Sequence, residues 1–406
     1  MGPQETKLLQ RKEYLSQLIA WREKHLIKVI TGVRRCGKST MLQLYREYLK
    51  KQGVQERQII SINLEDLANE HLQDYRALHQ HVKGLLQDDC FTYVFIDEVQ
   101  QCKGFEKAVD SLFINEQVDL YITGSNAYFL SSELATLLSG RYVEIQMLPL
   151  SFAEYLDFTS TEQVSRMTAF TRYLNHGSFP YVPMLGQDDS VIRTYIEGIY
   201  ASILIKDVAQ RKAITDVALL ERIVRFLGSS IGSPISAKKI CDTLTSSGRK
   251  VSINTVDAYL EALQESYCFY KVDRYDIKGR NFLKTLGKYY IVDMGLRNHL
   301  LSNRESDIGH QIENIVYLEL RRRGYKVSIG KLADKEVDFV AQNAEGITYL
   351  QVSASVLDQT TLKRELAPLQ AIGDNYPKIL LSLDEIGAGS NHERIQQKNL
   401  LDWLVQ

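Results

Sequence analysis

The sequence predicts an α/β protein that opens on a parallel sheet, and three short stretches carry that prediction. LIKVIT runs into GVRRCGKST and then KSTMLQLYREYLKK: a buried strand, a glycine-bounded loop and an amphipathic helix. FTYVFIDEVQ is a second apolar run, closed by two acids. LYITGSNAYFL is a third, closed by small polar residues. Strands covered on both faces read as near-continuous apolar runs, and parallel neighbours need helical crossovers between them.

The loop comes first. Gly32, Gly37, Lys38 and Ser39 stand at the spacing G-x-x-x-x-G-K-[ST]. Its flanks suit it: residues 26–31 are apolar and β-branched, while Met41, Leu42, Tyr45, Tyr48 and Leu49 recur at helical spacing. A strand, a glycine loop and a helix N-terminus make an anion cradle. The segment Gly32, Val33, Arg34, Arg35, Cys36, Gly37, Lys38, Ser39 and Thr40 is therefore expected to hold a nucleoside triphosphate. Lys38 would reach the terminal phosphates and Ser39 would hold Mg²⁺.

Asp97 and Glu98 close the next apolar run at its C-terminal end, where ligand sites of α/β sheets lie. Asp97 is expected to hold Mg²⁺ through water, and Glu98 to polarise the attacking water. Residues 120–123 form a further strand, from whose end Ser125 and Asn126 emerge. SSELATLLSGRYVEIQ then reads as a short helix, a stop at Gly140 and another strand, with Arg141 at the junction.

The order of these motifs resembles the AAA+ ATPases. More narrowly, GVRRCGKST, FIDEVQ, ITGSNAYFLSSELATLLSGRYVEI and LPLSFAEYL resemble prokaryotic AAA+ proteins whose C-terminal domain of unknown function is similar to a PD-(D/E)XK nuclease. The resemblance implies a P-loop domain on a five-stranded parallel sheet over residues 1–148 and a helical lid over 149–216. It implies ATP and Mg²⁺ as ligands. Asn126 matches the sensor-1 position and Arg141 the arginine finger, with Arg34 and Arg35 as rival cations. A finger completes a neighbour's site, adding about 10³–10⁵ in rate, so it implies a homo-oligomer, a ring such as a hexamer. A sensor-2 arginine is not placed: Arg193 and Arg211 both fall in the lid.

Residues 217–300 read as two helices and a hairpin, like a winged helix, a fold that often binds DNA. Ser236 is the expected cap of one helix, and Asn254 with Asp257 the expected capping box of the next. Val256, Tyr259, Leu260 and Leu263 form the second helix's core face, leaving Asp257, Glu261 and Glu265 on a face that would repel phosphates. Lys238, Lys239, Arg249 and Lys250 remain as backbone contacts.

Residues 301–406 follow the nuclease order: a helix carrying Glu313 and Glu319, then strands, with Asp338 on one of them. Where an active member carries a carboxylate and a lysine, this chain has Gln351 and Ser353. Gln351 is a poor magnesium ligand and Ser353 supplies no cation, so the domain is expected to be an inactive binding or assembly surface. Lys363 or Arg364 are candidate replacements for the lysine, and Arg321–Arg323 form a basic helix end.

The 406 residues carry 49 Lys plus Arg against 50 Asp plus Glu, which argues against a globally basic nucleic-acid binder. Five cysteines without a CxxC pair, and no apolar run long enough to span a membrane, lead to a cytoplasmic expectation and no membrane partner. The function expected is an ATP-hydrolysing machine acting on a macromolecular client, DNA ahead of protein. A nucleotide-gated scaffold for a protein partner and an ATP-regulated DNA nuclease are the alternatives.

Overall fold

The computed structural model describes residues 11–87, 90–125, 138, 140–159, 164–301 and 308–406. The chain forms two compact units, one of Met1–Pro149 with Glu265–Tyr267 and one of Leu150–Gln264 with Cys268–Gln406. Among the described residues no helix is long and apolar enough to cross a membrane.

The first unit is built on β1 (Ile27–Thr31), β2 (Ile59–Asn63), β3 (Thr92–Asp97), β4 (Val118–Gly124) and β5 (Tyr142–Gln146). They lie in the order β2-β3-β4-β1-β5, every pairing parallel. The expected five-stranded parallel sheet is what forms. Alternation along the strands sorts its two faces. Ile27, Val29, Val94, Ile96, Leu120 and Ile122 pack with Leu78 and Val82 of α3 (Tyr75–Leu85) and with Val109 and Leu112 of α4 (Phe105–Phe113). On the other face Phe95 and Tyr121 stack at 4.9 Å, with Tyr45 of α2 (Lys38–Lys51) 5.1 Å from Tyr121. Each such large apolar side chain contributes roughly 1.5–3 kcal/mol by burial.

Two strands carry a charge into this interior. Lys28 and Asp119 have fully buried side chains and pair with each other across β1 and β4. The Tyr121 hydroxyl donates to Asp119 at 2.7 Å and the Glu23 amide at 2.8 Å, so the carboxylate is satisfied on both oxygens.

The second unit begins with helices: α5 (Phe152–Thr159), α6 (Arg166–His176) and α7 (Asp189–Ser202), which runs on into a π-helical stretch, Ile203–Gln210. Then come α8 (Val217–Ser229), β6 (Pro234–Ile235), α9 (Ala237–Ser246), α10 (Ile253–Glu265), the hairpin β7 (Phe269–Asp276) and β8 (Asn281–Ile291), and α11 (Met294–Leu300). After α12 (Ile308–Arg322) follow β9 (Lys326–Leu332), β10 (Lys335–Asn343), β11 (Gly346–Ser353), α13 (Gln359–Gln370), β12 (Lys378–Ser382), β13 (Asn391–His392), β14 (Ile395–Asn399) and α14 (Leu400–Leu404). All nine strands share one sheet, β13-β14-β12-β11-β10-β9-β7-β8-β6, in which β7 and β9 pair in parallel.

The segments expected as lid, winged helix and nuclease-like domain thus share one compact unit. Buried polar side chains make the joints. Asp293 caps α11 through the Leu296 amide (3.0 Å) and also accepts from the amide and hydroxyl of Ser178, after α6. Asn298 donates to the carbonyls of Leu174 and Asn175. Asn314 of α12 exchanges two 2.8 Å hydrogen bonds with the backbone of Ile291 at the end of β8.

Several expectations need correction. Ser236 caps α9 through the Lys239 amide as expected, but α10 is capped by Ser252, which accepts from Thr255 N at 3.1 Å. The helix starts one residue before Asn254, so the expected box falls inside its first turn. Glu265 is buried, which leaves Asp257 and Glu261 as the exposed acids of that helix. Arg322 and Arg323 each reach Glu319 at 2.8 Å, and Arg323 also donates to the Trp403 carbonyl. That part of the basic helix end is engaged internally and does not face outward. Arg364 pairs with Glu365.

Candidate nucleotide site

The loop of residues 32–37 joins β1 to α2 at the C-terminal edge of the first sheet. Gly32 has φ 140° and Gly37 φ 104°, and Arg35 between them also has positive φ, at 68°. A Cβ on Gly32 would stand 2.2 Å from the Met147 carbonyl oxygen, so only glycine lets the loop lie against the chain leaving β5. Lys38 is 4 % exposed, and its ammonium donates to the carbonyls of Gly32 (3.0 Å) and Val33 (3.3 Å). Ser39 and Thr40, on the first turn of α2, are exposed, and Cys36 is buried beneath the loop. Arg34 pairs with Glu65 at 3.2 Å.

The strand order puts β4 between β1 and β3, so the loop and the end of β3 flank the end of one strand. Asp97 and Glu98 are both buried there. Thr123, near the end of β4, organises the pair: its hydroxyl donates to Asp97 and accepts from the Glu98 amide at 2.9 Å. Glu98 sits in the left-handed region (φ 52°), which turns its side chain away from the strand's own alternation. Burial pushes the Glu98 carboxyl up. Lys38 and a hydrogen bond from the Gln100 amide pull it down, and Asp97 and Glu65 push it further up. Gln100 also reaches Ser125 at 3.4 Å.

Lys38, Asp97 and Glu98 are therefore brought together, with Ser39 beside them, as the spacing led one to expect. Asn126 lies outside the described residues. Arg141 is not at this site. Its carbonyl accepts from Ile27 N at 2.8 Å, level with the start of β1, while the loop follows the end of that five-residue strand, roughly 15 Å away. Its guanidinium pairs with Asp110 and lies 5.8 Å from the centre of the Phe113 ring, both on α4, with 48 % of the side chain exposed. Arg193 belongs to the second unit, where it lines a cavity of about 360 Å³ with His176, Asn298 and His299.

Two contributors escaped sequence reading. Thr123 gave a signal, a hydroxyl residue at the end of an apolar strand next to the acidic one. Arg11 gave none. It is 5 % exposed and donates to the carbonyls of Cys36 (2.9 Å), Leu148 (2.8 Å) and Pro149 (3.2 Å), tying the loop to the chain beyond β5.

The site has parts that suit a triphosphate: a glycine loop lying tight against the chain beyond β5 and a buried ammonium bonded to carbonyls, with an exposed hydroxyl and a buried carboxylate pair as oxygen donors of the kind a hard metal ion takes. Comparison with known proteins agrees. Residues 24–156 match the AAA domain family, and residues 167–307 match a domain of unknown function (DUF8612). An uncharacterized protein of Haemophilus influenzae is 40 % identical over 409 residues, covering 98 % of this chain and 99 % of that one. An uncharacterized protein of Methanocaldococcus jannaschii is 29 % identical, covering 84 % and 77 %. The Walker-type ATPase of Pyrococcus abyssi shares the fold at a TM-score of 0.52 and 15 % identity, over 73 % of this chain and 97 % of that one.

Replacing Arg11 by Met removes the guanidinium from three buried carbonyls. It is expected to weaken binding of an ATP analogue about tenfold and to destabilise the first unit by about 1–3 kcal/mol. Fluorescence titration and urea unfolding read the two effects. Unchanged affinity would mean that the loop is held by its own turns alone.

Proposed function

The chain belongs to one family with the Haemophilus influenzae protein, and on that premise we propose that it is an ATP-binding and ATP-hydrolysing machine that works as an oligomer on a macromolecular client. The observation that carries this reading is the convergence of Lys38, Asp97 and Glu98 at one end of the sheet, around the Gly32–Gly37 loop. Lys38 exchanges its loop carbonyls for terminal phosphate oxygens, and Arg34 and Arg35 stand beside it. Ser39, and Asp97 through water, would hold Mg²⁺, which would neutralise charge on the phosphates. Glu98 orients and deprotonates the attacking water, and the Gln100 amide and the Thr123 hydroxyl fix its position.

Arg141 is the finger for a neighbouring subunit. The separation across β1 keeps it from its own nucleotide, and its ion pair with Asp110 is exposed, the kind worth at most about 1 kcal/mol and readily exchanged. Nucleic acid is the favoured client. Lys278 and Arg280 are exposed at the β7–β8 turn, and Lys326 lies over the half-exposed ring of Phe282. The exposed acids of α10, with Arg322 and Arg323 turned inward, favour the second reading, a nucleotide-gated scaffold for a protein partner.

Glu98→Gln is expected to bind ATP normally and lose turnover by about 10²–10⁴-fold. The base must be ionised to act, and burial raises it in the free protein, so the acid-side loss of wild-type kcat/KM is expected above the ordinary glutamate value. The same shift favours the fold with Glu98 protonated, a contribution complete below the unfolded value and lost as pH rises through the folded one. Normal turnover by Glu98→Gln would remove its assigned role.

Arg141→Ala is expected to bind ATP and hydrolyse poorly, with partial recovery when mixed with Lys38→Ala subunits that still carry the arginine. Full turnover by diluted single subunits would rule out the in-trans assignment.

Duplex or branched DNA at low salt is expected to raise turnover, and Lys278→Glu with Arg280→Glu to remove the increase. Unchanged turnover together with no DNA retention would favour the scaffold reading.

A further inference from the structure

A cluster of buried charge lies where β8, α12 and β10 meet in the second unit. The Lys288 ammonium, on a side chain only 4 % exposed, donates to Glu313 Oε1 and Glu336 Oε1, each at 2.9 Å. The Tyr290 hydroxyl donates to the same Glu313 oxygen at 2.6 Å. Asp338 is near enough to feel both Glu313 and Lys288, and its carboxylate accepts from Val352 N at 2.8 Å. Glu319, the other acid of α12, is held elsewhere by Arg322 and Arg323. Glu313 is thus the helix acid that joins Asp338.

Glu313, Asp338 and position 351 are where the nuclease-like order of the sequence would place the ligands of a divalent cation. The residues present do not fit one. Gln351 is neutral, and its amide is engaged on both sides: Oε1 accepts from Asp338 N (3.3 Å) and Nε2 donates to Glu365 (2.9 Å). Ser353 turns its hydroxyl to the Ser355 carbonyl. Among the described residues no group of three or more His, Cys, Asp or Glu side chains is arranged to hold a metal ion.

Glu313, almost fully buried, and Glu336 both take the ammonium directly, and a buried charge of this kind needs such a partner. Here the cation is covalently part of the chain. Lysine suits the position, being a compact point charge whose three donors can be shared between carboxylates. It is carried on the hairpin strand β8, well before the nuclease-like segment and far in sequence from Lys363 and Arg364.

We propose that Lys288 is the resident cation of this site. Its ammonium takes the place of a divalent ion, so that the cluster is a metal-free joint binding the β7–β8 hairpin to α12 and β10, and the carboxylates accept a divalent cation only when that ammonium is removed. The region is then a fixed platform, with no hydrolytic centre, and the hairpin moves with the C-terminal sheet.

The test uses the full chain without nucleotide, titrated with Mn²⁺, with bound ion read by electron paramagnetic resonance and Tm read in parallel. Wild type is expected to hold no Mn²⁺ at this site and to keep its Tm in Mn²⁺ or EDTA. Lys288→Met is expected to lose Tm and regain part of it in Mn²⁺, and adding Asp338→Asn should abolish the recovery. Lys288→Arg keeps the cation and should not respond. If Lys288→Met unfolds without metal, a cooperative transition restored by Mn²⁺ supports the proposal. Mn²⁺ held by wild type and lost in Asp338→Asn overturns it, as does a folded Lys288→Met that ignores the ion. ATP turnover belongs to the first unit and is expected to persist in these variants, so failure here is separable from failure of the ATPase reading.

Discussion

A buried ammonium that must always find oxygen sets the terms for the first unit. Lys38 has almost no contact with solvent, and its charge is met by two carbonyls of the loop that precedes it. Those carbonyls face it because Gly32, Arg35 and Gly37 take backbone angles that turn the loop back on itself. The loop keeps that shape because Gly32 has no side chain to collide with Met147, and because Arg11 binds the Cys36 carbonyl from below. A phosphate that replaces the carbonyls meets a charge already desolvated and already placed, so little reorganisation opposes binding.

What the sequence made legible was local. The loop motif occupies a few consecutive residues, and its strand and helix are adjacent, so spacing alone located Lys38 and Ser39, and a later apolar run located Asp97 and Glu98 at its end. Four of the five strands followed from apolar runs and the count of five from the resemblance, but the strand order did not. Arg11 was not legible, because its partners are 25 to 138 positions away and its own surroundings are polar. Lys28 and Asp119 stood in plain view as single charges inside the apolar runs LIKVIT and VDLYITG. Opposite charges on two buried strands call for those strands to be neighbours, since each is costly alone. Reading them as a pair would have placed β1 beside β4.

In the second unit the same physics works at larger scale. Helical, hairpin and sheet segments looked like separate domains because each has its own periodicity. They form one body because buried polar groups on one segment have their partners on another: Asp293 with Ser178, Asn298 with Leu174, Asn314 with Ile291, Lys288 with Glu313. A hydrogen bond in a low-dielectric interior is costly to leave unmade, so such joints couple the segments more tightly than apolar contact alone. Sequence signals for them are weak, because an asparagine or aspartate at a segment end reads equally well as an ordinary cap.

The placement of Arg141 gives the first unit a mechanical property. β5 carries Arg141 immediately before its first residue and Met147 immediately after its last. Met147 meets the loop at Gly32 and donates to Thr31 O at 2.8 Å, while the Arg141 carbonyl meets Ile27 at the other end of β1. Two paired strands of five residues therefore span the distance between the loop and Arg141, which the proposed function offers to a neighbouring subunit. A strand pair hydrogen-bonded along its length is stiff compared with surface loops. On the proposed function, a shift of the loop on gain or loss of a γ-phosphate would pass along β5 to Arg141 as a displacement of the strand. Successive sites in an assembly would be linked by the sheet itself, with no separate coupling element needed.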